Sequence, residues 1–272
     1  MVRQANKREV TMTIVRSAIS LGLATLSLLL AGCETTGKAT QETLNNAFTD
    51  YSARRFDDAE KKSSAYIKDN ADAPDVAEAY YLRGLANYGQ GDRANAAKDL
   101  NVALAKTQRA DLKAKSLRVL GDMAFEGRRY EQAIDYYTKS IQADPTSRGD
   151  VHATYRLGAA LQAIGEWDKA RPLFQQIISN RAEGDQLLLN RSLQRVGARS
   201  FSLQFAAFKE GPRAADMVRD LKAAGINARV SSELRDEVLM WLVQAGSYRT
   251  MDEAEFERTK LQAKFPLLTI VP

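Results

Sequence analysis

Cysteine and histidine each occur once in these 272 residues, at Cys33 and His152. A single thiol cannot close an internal disulfide or build a cysteine metal site. With a single imidazole, no histidine cluster for zinc can form, and a serine-type triad would have to rest on His152 alone. No glycine-rich phosphate loop is present. Net charge is also scarce. Of the formal +5, residues 1–32 hold three (Arg3, Lys7, Arg8 and Arg16 against Glu9), leaving +2 for the remainder. Nucleic-acid affinity is driven by phosphate neutralisation, so nucleic acid is not an expected partner. Long apolar runs are missing too, since residues 17–31 fall short of the roughly 20 that span a bilayer. No metal, no cofactor and no enzymatic activity are expected. Acidic pairs such as Asp57-Asp58 and Asp236-Glu237 are expected on solvated helix faces or loops, and His152 on a helix at a groove or surface.

The N-terminus combines a basic stretch, the Leu-rich run at 17–31 and a small-residue site, Leu30-Ala31-Gly32-Cys33. Those three features describe a secretory signal. Met12 offers a second start that keeps the same site. The string ending in Cys33 resembles the lipobox of bacterial lipoproteins. The resemblance implies cleavage after residue 32, lipid on Cys33 and a membrane anchor held by several acyl chains. Residues 33–40 then form a polar tether. Glu34, where aspartate would signal inner-membrane retention, implies the outer membrane facing the periplasm. An exported chain without disulfides stands on its hydrophobic core, and the remaining length suits one or two domains.

An internal repeat of 37 residues runs through the first half. Ala59, Ala96, Ala133 and Ala170 recur at that period, and Gly84, Gly121 and Gly158 stand twelve residues before the last three, with Ala47 in the first. Apolar residues at helical spacing, such as Tyr80, Leu82, Leu85 and then Leu100, Ala103, Leu104, make each unit a helical hairpin. Glycine inside a helix costs about 1 kcal/mol relative to alanine, so its repetition at one register signals close helix–helix approach.

Residues 77–107, 114–145 and 151–178 resemble tetratricopeptide (TPR) repeats, with Tyr80, Gly84, Gly91-Asp92 and Ala96 in the first and Leu120-Gly121, Tyr130, Ala133 and Tyr137 in the second. Gly158, Trp167, Ala170 and Phe174 carry the third. The usual period is 34, so three extra residues fall at each junction. The resemblance implies a solenoid over residues 41–184, closed by a capping helix at 185–199, with a concave groove for an unidentified envelope protein or peptide. Carried over by position, the groove residues are Leu44, Phe48, Tyr51, Tyr81, Leu85, Tyr88, Arg118, Asp122, Phe125 and Tyr155. That lining is aromatic and mostly uncharged.

After Arg199 the pattern changes. Phe201-Ser-Leu-Gln-Phe-Ala-Ala-Phe208 is echoed forty residues later by Trp241-Leu-Val-Gln-Ala-Gly-Ser-Tyr248. Each half reads as strand, helix, strand: helices at 211–224 and 251–264, closing strands at 228–230 and 268–271. Two halves make a βαββαβ unit, ferredoxin-like, with helices on one sheet face. The expected fold is therefore mainly α, a solenoid followed by a small α+β domain at 200–272. Strict alternation places Phe201, Leu203 and Phe205 on the helix side and Ser202, Gln204 and Ala206 on the other.

Val243-Gln244-Ala245-Gly246-Ser247-Tyr248 resembles the opening of the SPOR domain, and Leu203-Gln204 its looser copy. The resemblance implies binding to peptidoglycan glycan strands stripped of stem peptides, with Gln204, Ala207, Gln244, Ser247 and Tyr248 as the sugar-facing residues. The combined reading is a non-enzymatic outer-membrane lipoprotein adaptor in cell division or envelope organisation. The alternative is a TPR scaffold lipoprotein for outer-membrane protein or pilus assembly, without glycan binding.

Overall fold

The computed structural model describes residues 39–144, 151–180, 185–235 and 238–272. The expected signal segment, Cys33 and the tether up to residue 38 lie outside these, as do residues 145–150 and Asp236-Glu237. Within the described residues, helices pair as antiparallel hairpins: α1 (Gln41–Ser52) with α2 (Phe56–Asp69), α3 (Val76–Gln90) with α4 (Arg93–Lys106), α5 (Ala110–Glu126) with α6 (Tyr130–Ala143), and α7 (Val151–Ala163) with α8 (Trp167–Ser179). Each hairpin packs on the next, and α9 (Gln186–Val196) closes on α8. The solenoid expected from the 37-residue period is what the chain forms.

Complementary volumes explain the recurring small residues. Ala47, Ala59, Ala96, Ala133 and Ala170 are fully buried. A Cβ on Gly84 would lie 3.1 Å from Leu100, one on Gly121 2.6 Å from Tyr137, and one on Gly158 2.7 Å from Phe174. The partner stands sixteen residues on in every case. By that register the first hairpin matches Ala47 to Ser63, both buried. Where the first helix lacks a side chain, the second supplies a large one, and where the first has a methyl, the second shrinks to serine. Such close-packed interiors tolerate little change at either member.

The hairpin turns repeat as well. Arg54, Gly91, Arg128 and Gly165, again 37 apart, hold φ of 61°, 87°, 56° and 83°. That left-handed backbone reverses the chain in the shortest loop, and glycine is its default occupant.

The second region contains β1 (Phe201–Phe208), α10 (Gly211–Ala223), β2 (Ala228–Arg235), β3 (Val238–Tyr248), α11 (Met251–Gln262) and β4 (Thr269–Val271). The sheet order is β2-β3-β1-β4, and every neighbouring pair is antiparallel. Helices α10 and α11 cover one face through Ala214, Leu221 and Leu261 over Leu203, Phe205, Val243 and Ala245. The expected βαββαβ order holds. The strand expected at 228–230 instead runs to Arg235, because it zips with β3 as a long hairpin up to Arg235 opposite Val238. Gln204 pairs directly with Gln244, its mate at the forty-residue offset, so the pseudo-twofold axis of the domain passes between the two amides.

Candidate functional site

Helices α1, α3 and α5 present their first-helix positions to a cavity of about 440 Å³. Seven of the ten expected groove residues line it: Phe48, Tyr51, Tyr81, Leu85, Tyr88, Arg118 and Asp122. Phe48 is the most open of the aromatics, at 57% exposed. The other three, Leu44, Phe125 and Tyr155, do not line it. Leu44 is buried in the core beneath the first hairpins, because its shorter aliphatic chain turns inward where its repeat mates Tyr81 and Arg118 reach out. Tyr155 is buried against Phe174, ring centres 5.8 Å apart, and its hydroxyl accepts from Arg195 Nε at 2.9 Å. Phe125 packs edge-on to Tyr130 and lies beneath the Arg156 guanidinium, 5.5 Å from the ring centre. The C-terminal end of the groove is thus occupied by the capping helix: Arg195 of α9 also donates to Gln162 Oε1 at 2.7 Å.

The lining is also more charged than expected. Glu78, Arg109 and Lys115 join Arg118 and Asp122. Glu78 and Lys115 stand three residues before Tyr81 and Arg118, on the same helical face, and that spacing was the available signal for them. The charges are arranged in opposed sets. Arg109 bridges Glu78 at 2.7 Å and Asp111 at 2.8 Å. Asp122 accepts from Tyr137 Oη at 2.9 Å and lies 3.4 Å from Arg118 and 3.5 Å from Arg156. Burial pushes the Asp122 carboxyl above its ordinary value despite those three partners. Tyr88 donates its hydroxyl to Glu126 at 2.6 Å, and burial followed by that carboxylate raises the phenol. Burial raises Glu126 in turn, but the Tyr88 and Arg93 bonds outweigh it and leave this carboxyl below its ordinary value. The groove is an aromatic ledge framed by paired ions, three helices long.

His152 lies at the outer end of the array, 3.4 Å from Asp185, with an exposed side chain. Asp57 and Asp58 are exposed on α2.

On the sheet, two backbone irregularities decide which side chains share the face away from α10 and α11. Between Gln204 and Ala206 the register shifts, so Phe205 and Ala206 together oppose Val243. Strict alternation therefore fails beyond Gln204: Ala206 turns to the helix side and Ala207 joins Gln204 and Gln244 on the other. The second shift falls at Gly246-Ser247, where Gly246 takes φ 79°, the geometry of a glycine bulge. Its consequence is that Tyr248 turns back, its ring over Gly246 and packed with Phe201 and Ala254. The placement of Tyr248 among sugar-facing residues is corrected accordingly. Ser247 is exposed and donates to Ser200 Oγ at 2.8 Å.

Ser202 was expected on the open face, but it is buried there beneath Arg229, whose Nη2 donates to Ser202 Oγ at 2.9 Å and whose Nη1 donates to the Gly246 carbonyl at 3.1 Å. Arg229 sits opposite Gln244 on β2; only the ladder register places it here. Ser231 donates to Gln244 Oε1 at 3.3 Å. Gln204 Oε1, by contrast, is buried with no hydrogen-bond partner among the described residues.

Comparison with known proteins matches each region separately. Residues 197–268 match the family model described as SPOR domain. Residues 49–111 and 124–188 match two models described as Tetratricopeptide repeat. A TPR repeat-containing protein of Methanocaldococcus jannaschii is 28% identical over 134 residues, covering 49% of this chain. This chain spans only 22% of that relative's length. Among solved structures, one described as the crystal structure of MamA superposes with TM-score 0.45 at 23% identity, over 53% of this chain and 78% of that one. A second MamA structure gives TM-score 0.47 at 19% identity, over 87% of this chain and 100% of its own.

Proposed function

The chain carries tetratricopeptide repeats followed by a C-terminal SPOR domain, and on that premise we propose that it is a cell-envelope adaptor, one end on peptidoglycan and the other on a protein. The first module is a protein-interaction module and the second a peptidoglycan-binding one; both are non-catalytic binding domains. The observation that carries the finer reading is the Gln204–Gln244 pair at the pseudo-twofold axis, both half-buried on the face away from the helices. Glycan strands present hydroxyl and acetamido groups, with which side-chain amides can exchange hydrogen bonds. Ala207 beside it keeps the surface low, and Ser247 adds an exposed hydroxyl. The sugar is a strand without stem peptides, of the kind that collects where the wall is being split at division sites.

The groove of α1, α3 and α5 holds the protein partner. Its aromatic floor suits an apolar side chain, and its ion pairs offer both signs to a flanking backbone. Among the described residues no helix is long and apolar enough to cross a membrane. The Leu30-Ala31-Gly32-Cys33 string supports attachment by lipid on Cys33, in the outer membrane facing the periplasm, with residues 41–184, 185–199 and 200–272 as repeat array, cap and wall-binding domain.

Sedimentation with purified sacculi tests the reading. The chain is expected to pellet with sacculi, more so after amidase treatment, and Gln204→Ala with Gln244→Ala should cut binding about tenfold, the loss of one or two hydrogen bonds to a ligand. No pelleting with amidase-treated sacculi would reject glycan binding and leave the assembly-scaffold alternative, whose groove would then be the protein's working surface.

A further inference from the structure

The sheet domain is fastened to the array at one end of its central strand pair. Trp167, the first residue of α8, is buried at 7% exposure and meets Phe201 edge-on, ring centres 4.8 Å apart. Its Nε1 donates to the Arg249 carbonyl at 2.8 Å. Below, the left-handed turn residue Gly165 makes room for Arg249: a Cβ there would lie 3.0 Å from Arg249 Cγ. The same turn position one hairpin earlier is Arg128, and its guanidinium reaches Glu255 of α11 at 3.0 Å. Gly91, at the same turn position with φ 87°, has nothing within 4 Å of its would-be Cβ. Glycine at 91 therefore answers only to backbone conformation, whereas glycine at 165 answers also to the contact with the sheet domain.

What these residues hold is the turn that follows the glycine bulge. Phe201 pairs with Tyr248, whose ring covers Gly246. Trp167, Phe201, Ala254 and Tyr248 form one packed cluster. Arg249 N donates to Glu253 Oε2 at 2.8 Å, and Thr250 caps α11 through Glu253 N at 3.2 Å. The pseudo-twofold supplies a control. At the other end of the strand pair, Phe208 opposite Trp241 is closed within its own domain, by Gly211 beneath the indole and Arg213 over Phe208. The sheet domain closes one aromatic end from its own helix and receives the closure of the other from the array.

We propose that the repeat array completes the sugar-facing end of the sheet domain, with Trp167 as the positioning residue that sets the 246–250 turn. The proposal rests on the glycan-binding reading, since Ser247 and the Gly246 carbonyl belong to that face. An isolated sheet domain would lose this closure, so the chemistry of wall recognition is shared across both modules.

The test uses the full chain with Trp167→Ala and Trp167→Phe, read by amide hydrogen exchange at residues 246–250 and by sedimentation with amidase-treated sacculi. Trp167→Ala is expected to speed exchange in that segment and to weaken binding, each about tenfold, while exchange around Ala207 and Leu242 at the far end is unchanged. Trp167→Phe keeps the ring and loses the N–H donor, so both readouts should shift by only about two- to fivefold, the scale of one hydrogen bond. Unchanged exchange in Trp167→Ala, or faster exchange with wild-type binding, overturns the proposal. If Trp167→Ala loses its helical circular dichroism, Trp167→Phe decides by the same two readouts. A wild-type chain that never pellets sinks the glycan reading alone, because the exchange measurement still upholds or overturns Trp167 as the residue that sets the turn.

Discussion

Both regions are built by repeating a short unit, four times in the array and twice in the sheet domain, but the copies are related differently. The array repeats by translation, and what recurs from copy to copy is a small residue facing a large one sixteen positions on: Gly84 against Leu100, Gly121 against Tyr137, Gly158 against Phe174. The sheet domain repeats by a twofold, and there the copies diverge in backbone. One strand carries its irregularity at Phe205-Ala206 and the other at Gly246-Ser247. Helices tolerate exchange of side chains at fixed backbone, since their hydrogen bonds are internal. Strands share their hydrogen bonds, so a single extra residue re-aims every side chain beyond it.

The largest effect should come from breaking the sheet's backbone device. Gly246→Ala places a Cβ 2.3 Å from the Tyr248 ring at φ 79°. Left-handed backbone costs a residue with a side chain about 1–2 kcal/mol and overpacking about 1–3 more. Urea denaturation should show a loss of about 2 kcal/mol or more. Gly121→Ala probes the array's volume device with no change of backbone region. Its Cβ meets Tyr137 at 2.6 Å, and the better helix propensity of alanine returns about 1 kcal/mol. A net loss of roughly 1–2 kcal/mol is expected, larger than for Gly84→Ala, whose Leu100 neighbour stands at 3.1 Å. If Gly84→Ala proved the costlier, matched volumes would not be what holds the hairpins.

The smallest effect is electrostatic and sits at the array's first hairpin. Lys62 and then Arg55 hold the buried Asp50 carboxyl below its ordinary value. A group whose pKa is lowered on folding adds stability above its unfolded value, near 3.9, and loses it as pH falls through the folded value. Asp50→Asn removes that contribution at all pH. The melting temperatures of wild type and Asp50→Asn should therefore differ at neutral pH and converge below about pH 4. A gap that stays constant down to pH 2 would show that Asp50 acts by shape alone.

Much of this was legible before any coordinates. The 37-residue period of Ala59, Ala96, Ala133 and Ala170 is enough to infer hairpins, because only a translational stack buries the same small residue at each copy. The forty-residue echo likewise implies strand, helix, strand twice over. Seven residues carried over from the tetratricopeptide resemblance line the cavity. What position could not supply was depth. Leu44 and Tyr155 occupy groove positions in the repeat yet lie buried, one because its chain is short and turns inward, the other because Arg195 arrives from outside the array.

The order of amino acids dictates periodicity, and periodicity dictates which element each segment becomes, because helix and strand each need their own spacing of apolar residues. It dictates too that glycine recurs where a ring or an isobutyl group must fit. Tertiary structure alone decided that Ala206 leaves the face of Gln204, that Tyr248 turns inward, that Arg229 covers Ser202, and that Trp167 closes a domain it does not belong to. Those outcomes depend on ladder register and on contacts between residues more than eighty positions apart. No local spacing encodes such distances; they exist only once the two modules have packed.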